Sequence, residues 1–161
     1  MEDEEFFDLL ELVDRFNKSL KHQKSKYFDI DQFEAIADYY TELGTPEKAI
    51  RAINMGLEQH PYHTHFALRK VNILTASNQV KEATAEIEKL EQSAPLSYDL
   101  FMARAALQSK IGKHHQAIQY YRKALGVCEF PEEVWCLLAM EYQMLGHFEL
   151  AIKYHKMALE E

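Results

Sequence analysis

Three histidines, His60, His63 and His65, gather around Pro61 and Tyr62. Imidazole is the commonest zinc ligand, so a metal site is the first chemistry these residues bring to mind. Such a site needs three or four ligands that converge on one point. This group straddles the end of one helix and the turn after it, so His60 is expected to point elsewhere, and no fourth ligand is in view. The three read as polar turn histidines, with no metal and no cofactor expected. His114 and His115 open a helix and read the same way. Cys128 and Cys136 lack any paired metal spacing. Cys136, beside Trp135, is expected to be a buried structural thiol rather than a nucleophile. The glycines stand singly and mostly at helix ends, so no phosphate-cradling loop is present, and there is no nucleophile elbow. No catalytic set emerges, and the chain is not expected to be an enzyme.

The elements that carry these residues repeat. Ala49, Ala83, Ala117 and Ala151 are spaced by 34 residues, and Ile50, Ile118 and Ile152 follow three of them. Five residues before each alanine stands Gly44, Asn78, Gly112 or Gly146, and Pro61 and Pro95 close the first two units in phase. With each alanine as position 20, the units are 30–63, 64–97, 98–131 and 132–161. Positions 1–14 form helix A, position 15 the turn, and positions 17–30 helix B. Position 15 must end helix A in a left-handed conformation, which glycine adopts freely and asparagine tolerates best among the others. Thr45 and Pro46 read as N-cap and first helical residue, and Asp29 with Gln32 as a capping box. Position 20 must be small because the two helices approach there. Position 8 (Ala37, Val71, Ala105, Ala139) and position 27 (Gly56, Leu90, Ala124, Ala158) follow the same rule, loosened in the second unit.

Residues 1–29 leave the register: a further unit would put Arg15 at the alanine position. Phe6, Leu9, Leu10, Val13, Phe16 and Leu20 nevertheless form an amphipathic stripe with acidic residues in its first turn, followed by a basic connector (Lys18, Lys21, Lys24, Lys26). This helix either caps the first unit or docks into a groove of this chain or a partner. At the other end, Tyr154, Met157 and Leu159 have no following helix to cover them. The expectation there is either a piece of a longer array or self-association through that face. A net charge of −8 argues against nucleic acid as a ligand. No apolar run reaches membrane-spanning length, so no membrane partner is expected. The acidic start, Met1 to Glu5, lacks the basic region of a secretory signal, and together with the cysteine usage this points to the cytoplasm.

The pattern resembles the tetratricopeptide repeat family. Trp135, Leu138, Ala139, Tyr142, Gly146, Ala151 and Ala158 carry the likeness in the fourth unit, and Ala37, Tyr40, Gly44, Ala49 and Pro61 in the first. His155, where the family has a bulky apolar residue, departs from it. The resemblance implies an all-α fold: a right-handed α-solenoid, or superhelix, of stacked antiparallel helix pairs, here with the N-terminal capping helix in front. It also implies partner contacts from helix A positions 2, 5, 6, 9, 12 and 13. Those positions run from acidic (Asp31, Glu34, Asp38, Glu42) through Arg69 and Asn72 to apolar (Met102, Leu137, Met140, Met144). The family's binding of acidic C-terminal tails needs Lys, Asn and Arg where this chain has Glu34, Asp38, Arg69, Asp99 and Ala103, so that activity is excluded. The implied function is a non-catalytic protein–protein interaction scaffold, its groove holding a protein or peptide segment with a basic end and an apolar anchor. The alternative is a purely structural array, or the recruiting arm of a larger protein whose functional domain lies beyond residue 161. The acidic ridge is equally readable as a solvated face, and Met140 and Met144 as packing for a following helix pair.

Overall fold

A computed structural model describes residues 2–22, 26–93 and 97–159. Lys24 of the basic connector, Pro95 and Glu161 lie outside the described residues. The described residues form helices and turns only. In order they are α1 (Glu2–His22), α2 (Ile30–Glu42), α3 (Pro46–Gln59), α4 (Thr64–Ala76), α5 (Val80–Ser93), α6 (Tyr98–Lys110), α7 (His114–Leu125), α8 (Glu132–Met144) and α9 (Phe148–Leu159). The A and B helices begin at the residues that the repeat register assigns them. The chain divides into two compact units, residues 1–73 and 74–161.

The turns show why the register is so regular. Gly44, Gly112 and Gly146 have φ of 66°, 76° and 75°, and Asn78 has 62°. Each places the chain in the left-handed region, where a bulkier side chain is strained. The amide of the next residue then bonds back into helix A, as in Thr45 N to Tyr40 O at 2.9 Å and His147 N to Tyr142 O at 2.9 Å. Thr45 and Pro46 take the N-cap and first helical positions of α3. Asp29 and Gln32 form the capping box of α2, with Asp29 N donating to Gln32 Oε1 at 3.2 Å.

In the first unit a core forms from α1, α2, α3 and the start of α4. Ala37, Ala49 and Ala52 are fully buried, as close helix approach requires, among Phe16, Phe28, Phe33, Ile36, Ile53 and Phe66. Gly56 meets Phe66 of the next helix: a Cβ there would lie 2.9 Å from the ring. α1 lies on α2 through Val13 and Phe16, with Leu9, Leu12 and Leu20 beside them. Phe6, expected in the apolar stripe, is exposed, and Leu12 takes part in its place. Asn17 Oδ1 accepts a hydrogen bond from Tyr40 at 2.9 Å, and Arg15 donates to Gln32 at the same distance.

The second unit repeats this on α6 to α9. Ala105, Ala117, Ala124 and Ala139 are fully buried, and Ala151 nearly so, around Tyr121, Val134, Leu138 and Tyr142. One polar pair enters this core. The buried carboxylate of Glu141 accepts from His114 Nδ1 at 2.8 Å. His114 is therefore more than a helix-opening residue: it keeps a buried charge paired, which otherwise would be strongly destabilising.

Candidate functional site

The helix A positions named from the sequence divide between the two units and differ in kind. In the first unit, α2 presents Asp31, Glu34, Asp38 and Glu42 at three- and four-residue spacing on one face. Two of these carboxylates are already engaged. Asp38 forms an ion pair with Arg69, and Glu34 Oε1 lies 2.8 Å from His65 Nδ1 and 3.8 Å from His63 Nε2. The physical reason is the repeat itself. Successive A helices run in the same direction, so residues 34 and 38 of α2 face residues 65 and 69 of α4, each four apart. The ridge is thus partly neutralised from within, and the open carboxylates are Asp31 and Glu42, both exposed. Asn72 is also exposed, one turn beyond Arg69 on α4.

The histidines separate as the chain geometry demands. His60 Nε2 donates to the carbonyl of Phe28 at 2.8 Å and so turns away from the other two. His63 and His65 remain together, with ring centroids 5.9 Å apart, and α2 brings Glu34 to them. That third group was missed in the sequence because it lies about thirty residues upstream, on the preceding A helix. Laying position 5 of one unit beside position 2 of the next would have found it.

In the second unit the apolar residues also divide. Met102 and Leu137 are half-buried against the core. Met140 and Met144 are 55% and 68% exposed. Cys136, expected to be buried, is exposed as well. The reason is angular: Val134, Leu138, Ala139 and Tyr142 turn inward, so the stripe at 136, 140 and 144 must turn out. The result is a line of soft, polarisable side chains along one helix.

Three further features were not legible. Phe130 is 75% exposed in the connection before α8 and lines an open cavity with Val127 and Tyr98, whose hydroxyl donates to Glu133 at 3.4 Å. Partial burial, then the Glu133 carboxylate, push the Tyr98 phenol up to about 12. On α9, Tyr154 stacks on Tyr142 at 5.5 Å and Met157 is half-buried, so neither is the open residue the sequence suggested. The exposed apolar side chains there are Phe148, Leu150, Ile152 and Leu159.

No helix among the described residues is long and apolar enough to cross a membrane. The family model for the tetratricopeptide repeat matches residues 98–130 and 132–160. No curated protein matches the chain in sequence. Among solved structures, a tetratricopeptide repeat protein from Parabacteroides merdae ATCC 43184 is similar with a TM-score of 0.78 and 19% identity, over 98% of this chain and 60% of that one. A crystal structure of MamA is similar with a TM-score of 0.70 and 16% identity, over 99% of this chain and 91% of that one. A MamA fragment from Desulfovibrio magneticus RS-1 gives 0.70 and 16%, over 94% and 84%. These likenesses show the fold, an all-α array of helix pairs of the solenoid class.

Proposed function

We propose that this chain, whose residues 98–130 and 132–160 match the tetratricopeptide repeat family model, is a non-catalytic scaffold that holds a segment of another protein on its A-helix surfaces. The fold is that of interaction scaffolds. The observation that carries the finer reading is the exposed stripe Cys136, Met140 and Met144 on α8. Nothing in the fold of the second unit needs those side chains in the open, and large exposed apolar groups in a line mark an interaction site. Methionine suits the task because its flexible thioether adapts to apolar partners of different shape. An apolar side chain of the partner is the anchor on α8.

Charge supplies the second element of selection. Asp31 and Glu42 remain open on α2, and a chain of net charge −8 attracts cationic partners at long range. The partner segment is therefore basic as well as apolar. Glu34 and Asp38 contribute less than their position suggests, since His65 and Arg69 already hold them. Exposed charges are screened over about 10 Å at 0.1 M salt, so affinity weakens as salt rises. The exposed cysteine fits a reducing compartment, the cytoplasm.

The test is a binding assay with a peptide carrying Lys or Arg residues beside a cluster of Leu or Phe, selected against the wild-type chain. Met140→Glu with Met144→Glu is expected to abolish binding. Asp31→Lys with Glu42→Lys is expected to weaken it and to flatten its salt dependence. Equal affinity for wild type and the methionine double variant would remove the α8 stripe from the account.

A further inference from the structure

Glu34, His63 and His65 place one carboxylate oxygen and two imidazole nitrogens within 4.8 Å of one another. They come from three different places: the face of α2, the turn before α4, and the first turn of α4. We infer that these residues form a binding site for a divalent first-row transition cation of the zinc type.

Four observations carry this. The donor set is one that zinc accepts, since two histidines and one glutamate leave a fourth position for water or an added ligand. The distances suit it: ligand atoms about 2.1 Å from a tetrahedral metal lie roughly 3.4 Å apart. The observed separations from Glu34 Oε1, 2.8 Å to His65 Nδ1 and 3.8 Å to His63 Nε2, bracket that spacing. Side-chain shifts of a few tenths of an ångström bring both to it.

The second observation is that His63 Nε2 is buried and makes no hydrogen bond. At 3.8 Å the Glu34 oxygen is too far to accept one. A buried, unsatisfied ring nitrogen is costly, and a cation between it and Glu34 satisfies it. Third, the His63 ring is held in place. It packs edge-on against Phe66 at 4.7 Å, and Phe66 is itself fully buried. The backbone on both sides is pinned by His63 N to His60 O at 3.0 Å and Phe66 N to His63 O at 3.2 Å. Fourth, the charge is right. Glu34 offsets part of the metal's charge, and α2 carries the open Asp31 on the same face, while Asp38 and Arg69 hold each other's charge. On binding, the metal replaces the proton that His65 Nδ1 shares with Glu34, and that proton leaves to solvent or to Nε2 of the same ring.

His60 is not a ligand, because its Nε2 is committed to the Phe28 carbonyl. The site therefore has three protein ligands. It ties α2 to the start of α4 with a bond stronger than the present hydrogen bond, so metal binding stabilises the first unit.

The experiment uses the full chain without a histidine tag. Zn²⁺ binding is measured by calorimetry, Co²⁺ binding by its visible absorption, and the thermal midpoint is read with and without Zn²⁺. One Zn²⁺ per chain with micromolar affinity, Co²⁺ bands of a four- or five-coordinate ion, and a raised midpoint are expected. Glu34→Gln and His65→Asn should each lower Zn²⁺ affinity at least about tenfold while helix content is unchanged. His115→Asn, at an exposed histidine of the second unit that is not one of the three ligands, should leave affinity as it is. No saturable binding at millimolar Zn²⁺ would overturn the proposal. So would binding that survives Glu34→Gln and His65→Asn undiminished, or that falls equally in His115→Asn.

Discussion

Gly56 is a contact made by the absence of a side chain. In an open helix, glycine to alanine gains about 1 kcal/mol from helix propensity. Here the new methyl meets the Phe66 ring at 2.9 Å, and that ring is hemmed by Phe33 and His63. Overpacking of this kind costs about 1–3 kcal/mol, so Gly56→Ala should be a net loss of about 1 kcal/mol by chemical denaturation. A gain in stability would show that Phe66 moves aside freely. Tyr121 supplies a second residue-level test. Burial first, then the Glu141 and Glu133 carboxylates, push its phenol up to about 12. The folded chain then keeps this proton between pH 10 and about 12, where the unfolded chain has lost it. This contribution to stability is whole below pH 10 and disappears as pH rises through about 12. Tyr121→Phe should therefore flatten the alkaline fall in stability, as read by denaturation at pH 9, 10 and 11. Neither position revealed its partner in the sequence. The small residue at 56 was legible from its register, but Phe66 was not. Tyr121 stands at the repeat position where the family has a bulky apolar residue, but the burial of Glu141 in the same core was not legible, because a lone glutamate in a helix reads as surface.

The helices themselves were readable because two independent signals agree at every turn. A 34-residue spacing of alanines sets the register, and a left-handed residue five positions earlier sets each end of helix A. Ala117 sits at the close approach in its unit and is fully buried. Ala117→Leu should destabilise by about 1–3 kcal/mol through overpacking, measured as a lower thermal midpoint. An unchanged midpoint would mean that α7 has room beside this residue after all. What the register could not supply was the pairing between neighbouring A helices. Glu34 with His65, and Asp38 with Arg69, link positions that periodicity within one unit never compares. The same limit hid the outward turn of Cys136. Its neighbours in sequence are apolar, and only the angular placement of Val134 and Leu138 shows that it faces out.

At the scale of the molecule, two kinds of exposed surface stand out among the described residues. The first unit offers exposed carboxylates on α2, and the second offers a sulfur-rich stripe on α8. Both the acidic and the apolar character were legible from residue types at family positions. Which members are open was not, because openness depends on what the next helix covers: Met102 and Leu137 are drawn to the core, while Met140 and Met144 are left out. The additional open side chains on α9, Leu159 at 85% exposure among them, extend the apolar surface of this unit. The most direct measurement of the central claim is a selection from a random peptide display library against the wild-type chain, followed by anisotropy titration of the enriched peptides. The account predicts peptides rich in basic and large apolar residues, bound by wild type and not by the Met140→Glu, Met144→Glu double variant, with affinity falling as salt is raised. Peptides that bind both chains equally, or a library that yields none, would contradict it.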